Sequence, residues 1–272
     1  MTRAETRTWY RVALANPANL VASSGEHMGQ AIAEAEAHAP GSYAVAVDHA
    51  GGNDIPLGES VGKGHVVELG ASEIPAFAWP VGVLPSLAGA RPGARRGWTV
   101  RPQQKLLVME AQTDRAHLTD LFLGMIERLP SADNLEIRVQ DHFESAGQAD
   151  VWITSRINAK KILRFLDDHD VELLGNGHLE LNVYVREHRA TLRLTEHKTI
   201  VWLADERALE TDVTRWFTEL SVPRVDELVT VSDMPHFHYR PSKSRDRKHL
   251  AEELYRQRLR RVKLNQPARE KD

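Results

Sequence analysis

Residues 105–220 switch between two hydrophobic periods, and that switching limits what the chain can fold into. After a Gly-Asn-Gly turn at 175–177, Leu179, Leu181, Val183 and Val185 alternate with polar residues, the signature of a strand with one buried face. KLLVMEAQ (105–112), NLEIRVQ (134–140), ADVWITS (149–155) and ATLRLTEHKTIVWLA (190–204) also read as strand. Three stretches between them repeat every 3.6 residues instead. In 114–129, Leu118, Leu121, Phe122, Met125, Ile126 and Leu129 share one helical face. Asn158 is placed to cap a helix with Ile162, Leu163 and Leu166 inward, and 206–220 presents Leu209, Val213, Trp216, Phe217 and Leu220. Hairpin-linked strands with grouped helices predict an α+β fold, a largely antiparallel sheet covered by helices.

The order βαββα at the start of this segment resembles the split βαβ pattern of ferredoxin-like folds, which host many functions. Ahead of it, residues 8–86 predict a smaller α/β segment. TWYRVALA (8–15) and SYAVAVDH (42–49) read as strands, and Ser23 with Glu26 has capping-box spacing before the helix-forming GEHMGQAIAEAEAHA. IPAFAWPVGVLP (74–85) is too broken by proline for a regular element and too apolar to stay in water, so it should cover a core or a partner surface. Residues 87–104, rich in Gly, Pro and Arg, read as a linker; 105–235 read as the α+β domain and 236–272 as a basic loop and helix.

Composition removes several chemistries. The 272 residues contain no cysteine, which excludes disulfides, thiolate metal sites, iron–sulfur clusters and a cysteine nucleophile. No run approaches a membrane span and no apolar leader opens the chain, so the expected setting is cytoplasmic, without a membrane partner. Arg outnumbers Lys by 26 to 9, the usage of a GC-rich bacterial genome. The glycine-rich loop at 51–64 lacks both phosphate-binding fingerprints: Leu57 stands where a P-loop needs its first glycine and Gly64 where it needs Ser or Thr. No serine-hydrolase elbow and no paired-histidine zinc helix occurs, and no cofactor is implied.

Three features compete as sites. Asp167, Asp168 and Asp170 place negative charge at a helix C-terminus, against the macrodipole, where oxygens could serve a metal; a solvated helix end is the ordinary explanation. Arg186 and Arg193 lie on the polar side of strands and form an anion-patch candidate. His236 and His238, two apart, would point the same way on an extended chain, as a metal pair requires. Asp233 is a nearby third donor, and otherwise the third ligand must come from far away.

The C-terminal stretch carries the main functional expectation. Residues 236–272 hold 12 Lys/Arg and 5 Asp/Glu, a net of +7 on a chain of net −3. A helix of about 20 residues capped by Ser242 or Ser244 would carry two apolar stripes, Leu250, Leu254 and Leu264 on one and Tyr255, Leu259 and Val262 on the other. Two stripes suggest two docking surfaces, and Arg245, Arg247, Lys248, Arg256, Arg258, Arg260, Arg261 and Lys263 supply the charge. The expectation is a non-enzymatic adaptor or assembly subunit engaging an acidic protein or a second copy. Nucleic-acid binding through the same tail and a metal-dependent hydrolase or nuclease are the alternatives.

Overall fold

A computed structural model of the chain describes residues 7–52, 66–101, 105–145 and 148–262. Most of the glycine-rich loop, Lys263 and Leu264 lie outside the described residues. The fold mixes helices with antiparallel sheets.

The first sheet contains β1 (Thr8–Ala15), β2 (Asn19–Gly25), β3 (Tyr43–His49) and β4 (Val66–Gly70) in the order β3-β1-β2-β4, with α1 (Met28–His38) packed on it. β2 occupies the place where a capping box was expected. Ser23 is buried within that strand and its hydroxyl donates to Ala31 O at 2.8 Å, while α1 begins only after His27. The paired strand buries Val21 in the core with Ala31, Ile32 and Ala35 of α1 and Ala22 on its other face, and that burial outweighs a local capping preference of about 1 kcal/mol. The broken apolar segment does cover this core: Trp79, Val83 and Leu84 are buried in it, and Val83–Pro85 forms β5.

The larger sheet begins inside the expected linker. β6 (Gly97–Arg101) pairs with β7 (Leu106–Gln112), and Trp98 is buried against Phe217 with ring centroids 5.4 Å apart. The chain continues through α2 (Leu118–Arg128), β8 (Asn134–Val139), β9 (Asp150–Ile153), α3 (Ala159–Asp168), α4 (Asp170–Leu173), β10 (Leu179–Val185), β11 (Ala190–Leu194), β12 (Ile200–Asp205) and α5 (Glu210–Glu219). β13 (His236–His238), α6 (Arg247–Arg256) and β14 (Arg260–Val262) complete it. The eight strands run β14-β9-β8-β10-β11-β12-β7-β6, every pair antiparallel. The split βαβ arrangement is therefore not formed, since β10, β11 and β12 stand between β7 and β8. β10, β11 and β12 follow one another directly in sequence and pair as antiparallel neighbours. Apolar residues of α2, α3, α5 and α6 fill one face of the sheet, and the Asn158 side chain accepts from Lys161 N to cap α3.

The tail departs from its expected form. α6 is ten residues long, is capped by Asp246 rather than by Ser242 or Ser244, and gives way to an edge strand beside β9. Leu250, Leu254 and Leu259 are buried in the main core, while Tyr255 and Val262 are exposed. The second stripe does not form on a helix, because Leu259 and Val262 lie beyond α6; of the first, Leu250 and Leu254 lie on α6. The tail's cations face the chain's own carboxylates: Arg245 reaches Glu172 at 3.0 Å, Arg247 reaches Asp150 at 3.1 Å, Arg261 also pairs with Asp150, and Arg256 reaches Glu253 at 3.2 Å. Lys248, Arg258 and Arg260 are exposed.

Truncating Leu254 to Ala should lower stability by about 2–5 kcal/mol, as for other buried leucines. Urea denaturation reads this directly; an unchanged midpoint would mean that the tail is not part of the core.

Candidate metal centre

The short strand β13 runs antiparallel to β5, with His236 opposite Pro85, Phe237 opposite Leu84 and His238 opposite Val83. Side chains alternate along a strand, so Phe237 packs into the smaller core while both histidines project to the other side. There they meet one end of the eight-stranded sheet. β8 ends, β10 starts, β11 ends and β12 starts at that end, since Val139 pairs with Leu179, Leu181 with Leu194 and Leu194 with Ile200. The loops there deliver His142, His178 and His197.

His197 sits in the β11–β12 turn. The turn is closed by Thr195 N to Thr199 O at 3.0 Å, with Lys198 in the left-handed region at φ 62°. Its ring centroid lies 4.8 Å from that of His236 and 5.0 Å from that of His238. One nitrogen from each of the three rings falls within 4.8 Å of the others, and all three residues are half-buried.

The protons on these rings are set by their outer partners. His236 Nδ1 donates to Met234 O at 2.7 Å and His238 Nδ1 donates to Gly177 O at 2.6 Å. A carbonyl only accepts, so each Nδ1 carries the hydrogen and each neutral ring keeps its lone pair on Nε2. Those two Nε2 atoms stand 3.1 Å apart. Two acceptors held face to face repel unless a proton or a cation lies between them. Tetrahedral zinc with Zn–N bonds of about 2.0–2.1 Å would separate two ligand nitrogens by about 3.3 Å. Glu196 stands 3.5 Å from Nδ1 of His197, an outer carboxylate of the kind that orients metal-bound imidazole.

Burial favours the neutral form of two of these rings. Burial pushes His238 down to about 3, against a smaller opposing pull from Gly177 O, and burial likewise lowers His197. His178, pushed down to about 3 by burial and by His142, stacks on Phe143 at 4.7 Å. Neutral imidazole is the form that binds zinc, copper, nickel and iron. Behind the site, the fully buried Lys198 donates to Asn176 O at 2.6 Å, and burial lowers its ammonium to about 7.

The other sequence candidates fall elsewhere. Asp233 is not a third ligand: it closes a capping box, accepting from Thr230 N at 2.7 Å. Asp167, Asp168 and Asp170 do not join the histidine group among the described residues; Asp168 pairs loosely with Arg164 and Asp170 accepts from Val171 N. Arg186 donates to Asn134 at 2.8 Å, and Arg193 donates to Asn182 at 2.9 Å with Glu180 3.6 Å away. What the sequence did not disclose is the third histidine, His197, and the flanking pair His142 and His178.

Two glycines hold His238 in place. Gly82 O accepts from Tyr239 N at 2.8 Å, and Gly177 N donates to Tyr239 O at 3.0 Å. The backbones approach so closely that a Cβ on residue 177 would fall 1.8 Å from Gly82 O. Gly177→Ala should therefore destabilise the fold by about 1–3 kcal/mol or more, read as a drop in thermal midpoint. A second expectation concerns His27, which burial and Arg240 lower to about 4 from 6.5. The unfolded chain binds a proton there that the folded chain refuses, so this contribution to stability is complete above pH 6.5 and is lost as pH falls toward 4. Denaturant midpoints measured across that window should slope less steeply in His27→Gln than in the parent. Comparison with protein-family models, curated proteins and solved structures finds no match to this chain.

Proposed function

We propose that the protein binds one divalent transition metal ion through His197, His236 and His238 and uses it for hydrolytic chemistry. The observation that carries this reading is the 3.1 Å separation of two Nε2 lone pairs whose rings are each oriented by a backbone carbonyl. Three protein ligands are the usual set of a catalytic zinc ion, which keeps a further position for water or substrate. When bound, such an ion supplies Lewis acidity and lowers the pKa of its water. The chain's part is to present neutral imidazoles, to orient them through Met234 O, Gly177 O and Glu196, and to keep the site partly dry.

The adaptor and nucleic-acid readings draw less support. Both draw on the charge of the basic tail, where Arg245, Arg247, Arg256 and Arg261 face carboxylates of the chain itself, and the adaptor reading also drew on a second helical stripe whose Leu259 and Val262 lie beyond α6.

Titration with cobalt should produce one visible absorption band of tetrahedral type, saturating near one ion per chain. His236→Ala and His238→Ala should each weaken binding on the order of 100-fold or more. Absence of any cobalt or zinc uptake by the folded parent would sink the reading.

A further inference from the structure

The candidate ligands come from two parts of the fold that share no strand ladder. His197 hangs from the β11–β12 turn of the eight-stranded sheet, whereas His236 and His238 lie on β13, which pairs with β5. For their nitrogens to stand within 4.8 Å of one another, these two parts must be held in a fixed relation. The turn at 175–177 touches both. Gly177 O accepts from His238 Nδ1 at 2.6 Å, and Gly177 N donates to Tyr239 O at 3.0 Å. One residue earlier, Asn176 O accepts from Lys198 Nζ at 2.6 Å. Lys198 directly follows His197 in the chain. A short path therefore joins two ligands: His197 to Lys198 by a peptide bond, Lys198 to Asn176 by its amine, Asn176 to Gly177 by a peptide bond, and Gly177 to His238 by its carbonyl.

The stability of the fold does not ask for a lysine at this position. Its side chain is fully buried, and burial acts on the ammonium more strongly than the pull of Glu196 does. A charge held in the interior opposes folding, and an unbranched apolar chain such as methionine would fill similar space without that cost. Asn176 O does not need the amine either, because it also accepts from Leu179 N at 3.2 Å. The backbone adds a second cost, since residue 198 sits at φ 62°, a conformation that favours Gly or Asn. Asn176 is itself fully buried, with Nδ2 lacking a hydrogen-bond partner, so the contact is no finished polar network. Local costs gathered beside a ligand set point to a role in the site.

We propose that Lys198 is a positioning residue of the metal centre: its amine, bonded to Asn176 O, sets the distance between the turn that carries His197 and the carbonyl that orients His238. This role rests on the metal reading. It needs no proton to move and no contact between Lys198 and the ion. Without the amine, the two turns are free to drift apart, and ligand bonds of about 2.0–2.1 Å tolerate only a few tenths of an ångström. Outer contacts that orient ligands typically change metal affinity by about 10–100-fold.

The test is cobalt titration of the full-length parent and of Lys198→Met, both first stripped with chelator, beside thermal midpoints of the metal-free proteins. Lys198→Met should melt at or above the parent's midpoint, yet bind cobalt about tenfold or more weakly. Its visible band should also be fainter, as the ligand set departs from tetrahedral form. A lysine that serves only stability gives the reverse, a lower midpoint with unchanged affinity. The chain has no cysteine, so Lys198→Cys carries a single thiol. Alkylating it with bromoethylamine in denaturant and refolding restores an amine at nearly the same reach, and should recover the cobalt affinity that the unalkylated variant lacks. The proposal is overturned if Lys198→Met binds cobalt as the parent does, if it melts well below the parent or fails to fold, or if the restored amine recovers nothing. A parent without cobalt uptake removes the metal reading and this role together. A parent and a Lys198→Met that bind cobalt equally remove only the role of Lys198.

Discussion

The crossing of two glycine backbones around Tyr239 is the contact on which this architecture turns. Gly82 belongs to the segment that covers the small core, and Gly177 opens β10 of the large sheet. Tyr239 bonds to both through its main chain. Only residues without a Cβ allow the approach, and Gly82 also occupies φ 105°, where other residues are strained. The crossing joins the two sheets and fixes the residue before Tyr239, which is His238. A fully buried phenol, pushed up to about 12 by that burial, packs the same point. Nearby, Arg115 bridges from the start of α2 to Glu36 on α1 at 2.6 Å, a second tie across the junction.

Around this tie the interior is polar in an unusual way. The sheet end gathers five histidines, of which burial lowers His178, His197 and His238, and a buried lysine that donates to a carbonyl. Burying an ammonium without an ion-pair partner opposes folding, and so does setting two lone pairs face to face. Local rules broken together at one place mark a site shaped for something other than stability. The core of the large sheet, with Trp202, Phe122 and Phe217 fully buried, supplies stability that tolerates it.

Much of the fold was legible because its elements have strong periods. The leucines, Phe122, Met125 and Ile126 of α2 point inward as their spacing requires, and Asn158 caps α3 as its position implies. Errors arose where a local signal competed with distant pairing. Ser23 and Glu26 look like a cap, yet Ser23 is inside a strand because β1 offers a partner for residues 19–25. Residues 246–264 look like one long helix, yet the chain turns at Arg258, at φ 63°, so that Leu259 can enter the core and β14 can extend the sheet. The charge asymmetry allowed an acidic partner or the chain's own acidic body, and which acids the tail meets could not be read because Glu172 and Asp150 are distant in sequence.

By itself the sequence determined the α+β composition, the absence of any cysteine chemistry and the common direction of His236 and His238, which follows from the two-residue period of a strand. Only the tertiary structure decided what that pair meets. His197 lies in a hairpin turn and His142 and His178 at the ends of other strands, and nothing in their spacing announces that these loops share one end of a sheet. Strand order depends on which faces must be buried together, and that depends on the whole chain. A metal-ligand pattern read along the sequence needs neighbours in sequence. Here His236 and His238 are neighbours in sequence, and His197 joins them only in space.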